Sequence, residues 1–240
     1  MASQASATEL YDAARAKDSG RVKLLLEAGA NPNQRSPYDG PLHVAARLGL
    51  SEIATGLIEA GADVELPGFG GVRPLHAATV AQQAKVVSLL LRRGASVDAL
   101  DNTGRTPLLS FMSSDATDLA TLKALLTSGA DPNLLDGAAR LHALDFAASH
   151  GRPDVAELLI AFGADMNAKD NLDGETPLHY AIAHCLSASK SQSEVVRLLI
   201  DRGADVNATN SDGLTPLDYA RRYVPNGGLL QSLLIEAGAK

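Results

Sequence analysis

The sequence predicts an all-α fold, a solenoid of about seven stacked helix-turn-helix repeats joined by β-hairpin-like fingers. Two markers that keep the same period lead to this prediction. The first is a Gly-Ala pair whose successive intervals are 32, 33, 35, 34, 40 and 35 residues. It begins at Gly29, Gly61, Gly94, Gly129, Gly163, Gly203 and Gly238. A regular period of this size is typical of repeats that bury their apolar faces only by stacking on neighbours.

The second marker is the stretch from Gly174 to Ala181, which reads as a turn followed by the start of a helix. Gly174 tolerates unusual backbone dihedral angles. Thr176 is a good N-cap, and Pro177 suits the first helical position, where its missing N–H is no loss. Variants of the stretch recur at residues 104–108 and 213–217 and, shortened, at 40–43 and 73–76.

From Gly174 to Asn207 the chain nearly spells out the ankyrin pattern Gly-x-Thr-Pro-Leu-His-x-Ala-Ala…Leu-Leu-x-x-Gly-Ala-Asp-Val-Asn. The sequence therefore resembles the ankyrin-repeat family over almost its whole length. We expect one domain over residues 1–240, with an N-terminal capping repeat at 1–33, five internal repeats at 34–208 and a C-terminal capping repeat at 209–240. Glu9, Asp12 and Arg15 in the first repeat and Arg221 in the last are typical of faces left to water.

Four stretches depart from the pattern. Leu109, Phe111 and Met112 stand where the pattern has His, Ala and Ala, and residues 140–145 replace the usual start of the next repeat. We therefore predict a local bend or a softer junction within residues 105–150. Residues 185–193 form a serine-rich polar insert that predicts a loop, and residues 67–71 predict a flexible turn that leaves Phe69 uncovered.

The composition limits the classes of function. A net charge of −7 argues against a protein that mainly grips phosphate backbones, so we expect no nucleic-acid partner. The N-terminus lacks a charged segment followed by an apolar one, and no apolar run approaches the ~20 residues that cross a bilayer. A single cysteine excludes an internal disulfide. We expect no membrane insertion, a cytoplasmic location with the nucleus left open, and a chain that is monomeric by itself.

No residue pattern predicts catalysis, a metal or a cofactor. His43, His76 and His179 occupy one slot in different repeats, so they lie a repeat spacing apart and do not converge on one ion. In the ankyrin family this histidine is structural, and it bonds turn groups of its own or the next repeat. Cys185 follows His184 directly, but neighbours on a helix point in different directions. Residues 68–71 lack the Lys-Ser/Thr of a phosphate-binding loop.

The resemblance implies a protein partner that docks on the concave side, formed by the fingertips and the exposed edge of the inner helices. Each such residue taken alone could equally be an ordinary solvated position. The family register selects Tyr38, Phe69, Val72, Asn102, Arg105, Leu172, Glu175 and Leu214 at fingertips, and Arg47, Leu48, Val80, Ser113, His184 and Tyr223 on inner helices.

The function expected from these residues is a non-catalytic adaptor, inhibitor or assembly factor that binds a protein. The alternatives are a regulatory or targeting subunit of an enzyme complex, or an enzyme whose site is not visible in the sequence. Two modifications are also conceivable. Asn167 and Asn207 lie in the finger sequence that is hydroxylated on asparagine in many ankyrin proteins, and the serines of residues 187–193 are candidates for phosphorylation.

Overall fold

The computed structural model describes residues 8–37, 39–114, 117–184, 190–224 and 228–240. The regular structure in these ranges is α-helical, with one short 3₁₀ turn and no strand. The all-α prediction is therefore confirmed. The fingers are tight turns closed by main-chain hydrogen bonds, such as Asp101 N to Arg105 O at 3.0 Å and Asn210 N to Leu214 O at 3.0 Å.

The chain divides into two compact units, Met1–Ala130 and Asp131–Lys240, and the boundary falls inside the stretch where a softer junction is predicted. In the first unit each repeat contributes an inner and an outer helix, and both sets pack on their counterparts in the next repeat. The helices are α1 (Glu9–Arg15), α2 (Ser19–Glu27), α3 (Pro41–Leu48), α4 (Ser51–Glu59), α5 (Pro74–Val80), α6 (Ala84–Arg92), α7 (Pro107–Met112) and α8 (Leu119–Thr127), with the 3₁₀ turn at Phe69–Gly71.

The second unit repeats the same arrangement. Inner helix α9 packs on α11 and α11 on α13, while outer helix α10 packs on α12 and α12 on α14. The bounds are α9 (Ala143–Ser149), α10 (Pro153–Ala161), α11 (Pro177–Ala183), α12 (Lys190–Asp201), α13 (Pro216–Tyr223) and α14 (Gly228–Glu236). None of the helices in the described ranges has the length and apolarity that crossing a membrane requires.

The inner helices begin at the residues that the sequence pattern predicts. Five inner helices begin with proline at the first position, after a residue with extended backbone angles. The Thr106 and Thr215 hydroxyls accept hydrogen bonds from Leu109 N at 3.2 Å and Asp218 N at 3.3 Å. These contacts satisfy main-chain donors that a helix start otherwise leaves unpaired, so the N-cap role is confirmed at both residues. At Thr176, for which the same role was predicted, no side-chain cap hydrogen bond forms, and the hydroxyl contacts His179 Nδ1 at 2.9 Å.

Outer helices end at the Gly-Ala pairs. All seven glycines have a positive φ between 84° and 94°, the left-handed region that side chains other than glycine rarely adopt. At the end of α10, Gly163 N donates to Ile160 O and Ala164 N donates to Leu159 O, both at 3.0 Å. This pair of bonds is a Schellman motif, which pairs the last carbonyls of the helix. The recurring Gly-Ala pair is therefore a helix-termination signal.

The shared histidine slot connects consecutive repeats. In His43, Nδ1 accepts from Gly40 N at 3.2 Å, so the ring proton lies on Nε2, which donates to Val72 O at 3.1 Å. His76 and His179 make the same two contacts, reaching Arg105 O and Leu214 O at 3.1 Å. The predicted structural role of these histidines is confirmed, since each ring bonds both its own turn and the next repeat.

Asparagines at the ends of repeats make a second connection. Asn133 Nδ2 donates to Gly163 O at 3.0 Å, and Asn133 Oδ1 accepts from Asp165 N at 2.8 Å. Asn167 Oδ1 accepts from Asp205 N at 2.8 Å in the same manner. Asn207 contacts Gly238 O at 3.2 Å and Lys240 N at 3.0 Å. The two asparagines considered for hydroxylation thus already hold hydrogen bonds to the following repeat.

Two local predictions are wrong. Of the insert expected to be a loop, residues 185–189 lie outside the described residues, but 190–193 already belong to α12. Gln192 there is buried, and its Nε2 donates to Ala148 O at 2.9 Å and Ala181 O at 3.1 Å. The turn at residues 67–71 is not loose, because Gly68 N donates to Val72 O at 2.8 Å and Asn102 N donates to Gly70 O at 2.8 Å.

The irregular and capping residues fit their surroundings. Leu109, Phe111 and Met112 are all buried, so their bulk is absorbed into the core. Asp12 and Arg15 of the first repeat and Arg221 of the last are exposed, as expected of charges on terminal repeats.

Candidate protein-interaction surface

The first unit contains a groove where fingertips meet the ends of inner helices α3, α5 and α7. We call it the fingertip groove, and its volume is about 420 Å³. It brings together Arg47, Val72, Val80, Arg105 and Ser113, all of which were predicted to bind a partner. The rest of its lining is His76, Ala77, Ala81, Asp101, Ser110 and Ser114. The groove combines an apolar floor with guanidinium and hydroxyl groups at its edge, the mixture typical of a protein-binding site.

Asp101 fixes the fingertip that carries Arg105. One carboxylate oxygen accepts from Thr103 N at 2.8 Å, Thr103 Oγ1 at 2.7 Å and Arg105 N at 3.0 Å. Burial acts to raise the pKa of Asp101, but these hydrogen bonds outweigh it and hold the pKa below its usual value. The main chain at Arg105 is therefore rigid before any partner arrives.

Asp39 fixes the opposite edge of the groove. Arg47 Nη2 donates to Asp39 Oδ2 at 2.6 Å, and Phe69 N donates to Asp39 Oδ1 at 3.3 Å. Burial acts to raise the pKa of Asp39, but the Arg47 guanidinium leads the contacts that hold it below its usual value. The Arg47 side chain remains half exposed, so it is oriented by Asp39 and still available at the surface.

Three predicted residues of the first unit lie outside the groove lining. Leu48, Phe69 and Asn102 are exposed, and Phe69 is 70% accessible as predicted. Tyr38 lies outside the described residues. The sequence reading missed Ser110 and Ser114, although they lie three residues before and one after the predicted Ser113, at the end of the same short helix. Asp101 was not among the predicted binding residues either.

In the second unit the predicted residues lie on two fingertips and on the ends of α11 and α13. Leu172 and Tyr223 are exposed, at 59% and 43%, and His184 is also exposed. Glu175 accepts a hydrogen bond from the Tyr219 hydroxyl, and the Tyr219 ring meets the Tyr223 ring edge to face at 5.2 Å. These contacts link the fingertip at Glu175 to the exposed Tyr223.

Acidic side chains lie at and beneath this second surface, with Asp173 exposed and Asp145 and Asp170 buried. Burial raises the pKa of Glu175, and the neighbouring charges of Asp170, Asp173 and Asp145 raise it further. Ser211 N donates to Asp173 O at 2.8 Å, which joins the fingertip before α11 to the one before α13 and its half-buried Leu214. The second unit therefore presents apolar and carboxylate groups side by side.

The described part of the chain contains no group of three or more His, Cys, Asp or Glu side chains that could hold a metal ion. Cys185 lies outside the described residues. The ring of His150, the residue that follows α9, donates from Nδ1 to Phe146 O at 2.8 Å.

The features described above define an interaction domain that is built from repeats. They are the stacked helix pairs, the capped fingertips and the groove beside them. The chain matches the family described as ankyrin repeats (3 copies) over residues 10–101, 42–136, 109–210 and 144–240. It therefore belongs to the ankyrin-repeat family, whose domains are protein-interaction modules.

Known proteins support this assignment. The chain is 36% identical over 156 residues to neurogenic locus notch homolog protein 1 of Danio rerio, covering 62% of this chain and 6% of that protein. It is 29% identical over 225 residues to the nuclear factor NF-kappa-B p105 subunit of Gallus gallus, covering 84% and 23%. The chain thus spans a small fraction of the length of these relatives.

Two solved structures are similar. The ankyrin repeat domain of Bcl-3, a member of the IkappaB protein family, has a TM-score of 0.83 at 24% identity, covering 95% of this chain and 98% of that one. An ankyrin repeat domain from Acinetobacter baumannii AYE has a TM-score of 0.76 at 30% identity, covering 83% and 98%. The Bcl-3 likeness supports the fold alone.

Proposed function

We propose that this chain is a non-catalytic adaptor, inhibitor or assembly factor that binds a protein partner through its fingertips and inner helices. The observation that carries the proposal is the fingertip groove. Five residues selected only by repeat register line one cavity there, although they come from three different repeats. Residues that are scattered along the chain and meet in one groove favour a shared role in binding over independent surface positions.

The composition of the groove supports a protein partner. Arginine is enriched at binding hot spots, and Arg47 and Arg105 stand on either side of the apolar residues Val72 and Val80. Arg47 is held by Asp39 and the Arg105 main chain by Asp101. Such preorganised groups lose less conformational entropy on binding than mobile ones do.

The proposal is tested by quantitative affinity purification of the full chain followed by mass spectrometry. We expect Val80→Glu to reduce recovery of its protein partner by about tenfold or more, since it places an unpaired charge on the apolar floor. The matched control is Ser88→Glu, which adds the same charge in α6 on the outer side of the same repeat. Circular dichroism and thermal melting should be unchanged in both variants.

The opposite pattern would contradict the proposal. If Val80→Glu and Ser88→Glu recover the partner equally, the fingertip groove is not the binding surface. If the purified chain instead turns over a substrate, and mutation of Cys185 or His150 abolishes that turnover, the alternative of an enzyme replaces the proposal.

We also propose a cytoplasmic location and a single domain, which imaging of the tagged protein and one cooperative unfolding transition would support.

A further inference from the structure

One residue of an outer helix differs in type from the residues at the equivalent position of the other repeats. Gly56 lies inside α4, five residues before the Gly-Ala pair that ends the repeat. The same slot in the other six repeats is leucine five times and alanine once. Those residues are Leu24, Leu89, Ala124, Leu158, Leu198 and Leu233. The second repeat alone has no side chain at this position.

The described part of the chain gives no reason for glycine at this position. Gly56 does not have the positive φ that favours glycine, and a Cβ built on it meets no atom within 4 Å. Glycine is the poorest helix former after proline, because it loses the most backbone entropy on folding. Local choices that oppose the fold without a compensating contact are expected at functional sites.

The missing side chain opens a groove between the outer helices of the first two repeats. We call it the outer groove. Its volume is about 430 Å³, and it lies between α2 and α4, on helices that do not line the fingertip groove. Its apolar lining comes from Val22, Leu26, Ile53 and Ala60, with Gly56 among them. The groove has the space that the leucine of other repeats would fill.

The rim of the outer groove is acidic. Glu27, Glu52 and Glu59 line it together with one cation, Lys23. Lys23 lies 3.9 Å from Glu27, and Glu59 lies 4.0 Å from Arg93, both at exposed positions where ion pairs are weak. Glu52 lies in the first turn of α4, and no ion pair is recorded for it in the described part of the chain. The rim therefore attracts a cationic ligand.

We propose that the outer groove is a second docking site, which takes a short basic segment of a partner protein. An apolar side chain of that segment occupies the space beside Gly56. Lysine or arginine residues next to it in the partner pair with Glu52 and Glu59. Glycine at position 56 is explained by this arrangement, because any side chain there would fill the space that the partner uses.

The test is selection of a displayed random-peptide library on the full chain, followed by affinity measurement of the enriched peptides by fluorescence anisotropy. We expect basic peptides with an apolar residue, and about tenfold weaker binding to Gly56→Leu. The matched control is Ala124→Leu, which introduces the same leucine side chain in the same slot of the fourth repeat. It should alter affinity by less than about twofold. Glu52→Lys should weaken binding, whereas Val80→Glu in the fingertip groove should not.

Each other result overturns the inference. Enriched peptides that are acidic or uncharged, or that bind Gly56→Leu as well as the wild type, exclude a basic ligand in this groove. Peptides lost in Val80→Glu belong to the fingertip groove, which leaves the proposed function standing and removes the second site. A dimer of the chain, detected by light scattering and lost in Gly56→Leu, would make a second copy the occupant. Thermal melting shows whether a loss of binding is caused by unfolding of the variant. Because leucine is a better helix former than glycine, Gly56→Leu should melt at a temperature no lower than the wild type.

Discussion

The ring of His43 joins its own fingertip to the next one, since Nδ1 accepts from Gly40 N and Nε2 donates to Val72 O, 29 residues further along the chain. Val72 O also accepts from Gly68 N, which closes that second fingertip at 2.8 Å. One neutral side chain thus couples helix start, turn and neighbouring repeat. His76 and His179 repeat the arrangement, so the stack depends on imidazoles that must stay uncharged.

Stability should fall on mild acidification. Burial lowers the pKa of His43, His76 and His179 below the ordinary value of 6.5. Between about pH 7 and 5 the unfolded chain therefore binds protons that the folded chain does not, so the free energy of unfolding decreases as pH falls. Urea denaturation across this range should show the decrease. Replacing all three histidines by asparagine, which also offers a donor and an acceptor, should flatten the profile. A wild-type profile that is already flat would contradict the prediction.

Asp145 occupies the histidine slot of the fifth repeat, and Asp145→His should stabilise the protein. Asp145 is fully buried, and its Oδ1 has no hydrogen-bond partner among the residues that the structure describes. Burial raises its pKa, which hydrogen bonds from His142 only partly offset, so its contribution to stability is lost as pH rises through the folded-state pKa. A histidine would replace the unpaired oxygen by a donor facing the carbonyl of Glu175, which corresponds to Val72.

We expect the variant to raise the free energy of unfolding at pH 7 by about 1–2 kcal/mol. The matched control is Asp165→His, an exposed aspartate of the same unit, which should change stability by less than about 1 kcal/mol. Urea denaturation of both variants at neutral pH measures the difference. A loss of stability in Asp145→His would mean that the slot does not accept a ring in this repeat.

Asn133→Ala should destabilise the second unit. It removes two hydrogen bonds, to Gly163 O and from Asp165 N, that tie one repeat to the next. The expected loss is about 1–2 kcal/mol, since each net hydrogen bond contributes about 1 kcal/mol. Asn171→Ala is the control, because that exposed side chain makes no recorded contact in the described chain. Equal stabilities of the two variants, measured by urea denaturation, would rule out the connecting role of Asn133.

Gly71→Ala should cost more stability than Gly70→Ala, although both glycines have positive φ, 75° and 67°. A Cβ at Gly71 would lie 2.8 Å from Asn102 N, whereas a Cβ at Gly70 meets nothing within 4 Å. We expect a loss of about 1 kcal/mol at Gly70 and about 2–3 kcal/mol at Gly71. Thermal melting of the paired variants distinguishes them. Similar melting temperatures would mean that the contact between the two fingertips is not fixed.

Local signals allowed most of the fold to be predicted. Proline at the start of inner helices and glycine at the end of outer helices each act through a few neighbouring atoms, so a single repeat contains the whole signal. The role of His43 was also predictable, because the partner carbonyl is supplied by the next copy of the same motif. The sequence shows that Asp145 replaces the histidine found at this position in other repeats. Whether the Asp145 Oδ1 atom finds a hydrogen-bond partner depends on packing, which the sequence does not show.

The candidate binding site was less predictable, because it too depends on how side chains pack. Repeat register placed Arg47, Val80 and Arg105 on the same side of the molecule, and the structure adds the distances that make them one groove. Gln192 was assigned to a polar loop because its sequence is polar, yet its amide caps the ends of two inner helices. Gly56 differs visibly from the leucine that recurs in its slot, but only the structure shows that a groove lies beside it.

The most direct test of the binding role is hydrogen exchange of the chain with and without its recovered partner. We predict slower amide exchange on binding in residues 72–81 and 105–114, which form the fingertip groove, with little change in α6 and α8 on the outer side. Protection confined to those outer helices, or no protection in either segment at saturating partner, would contradict it.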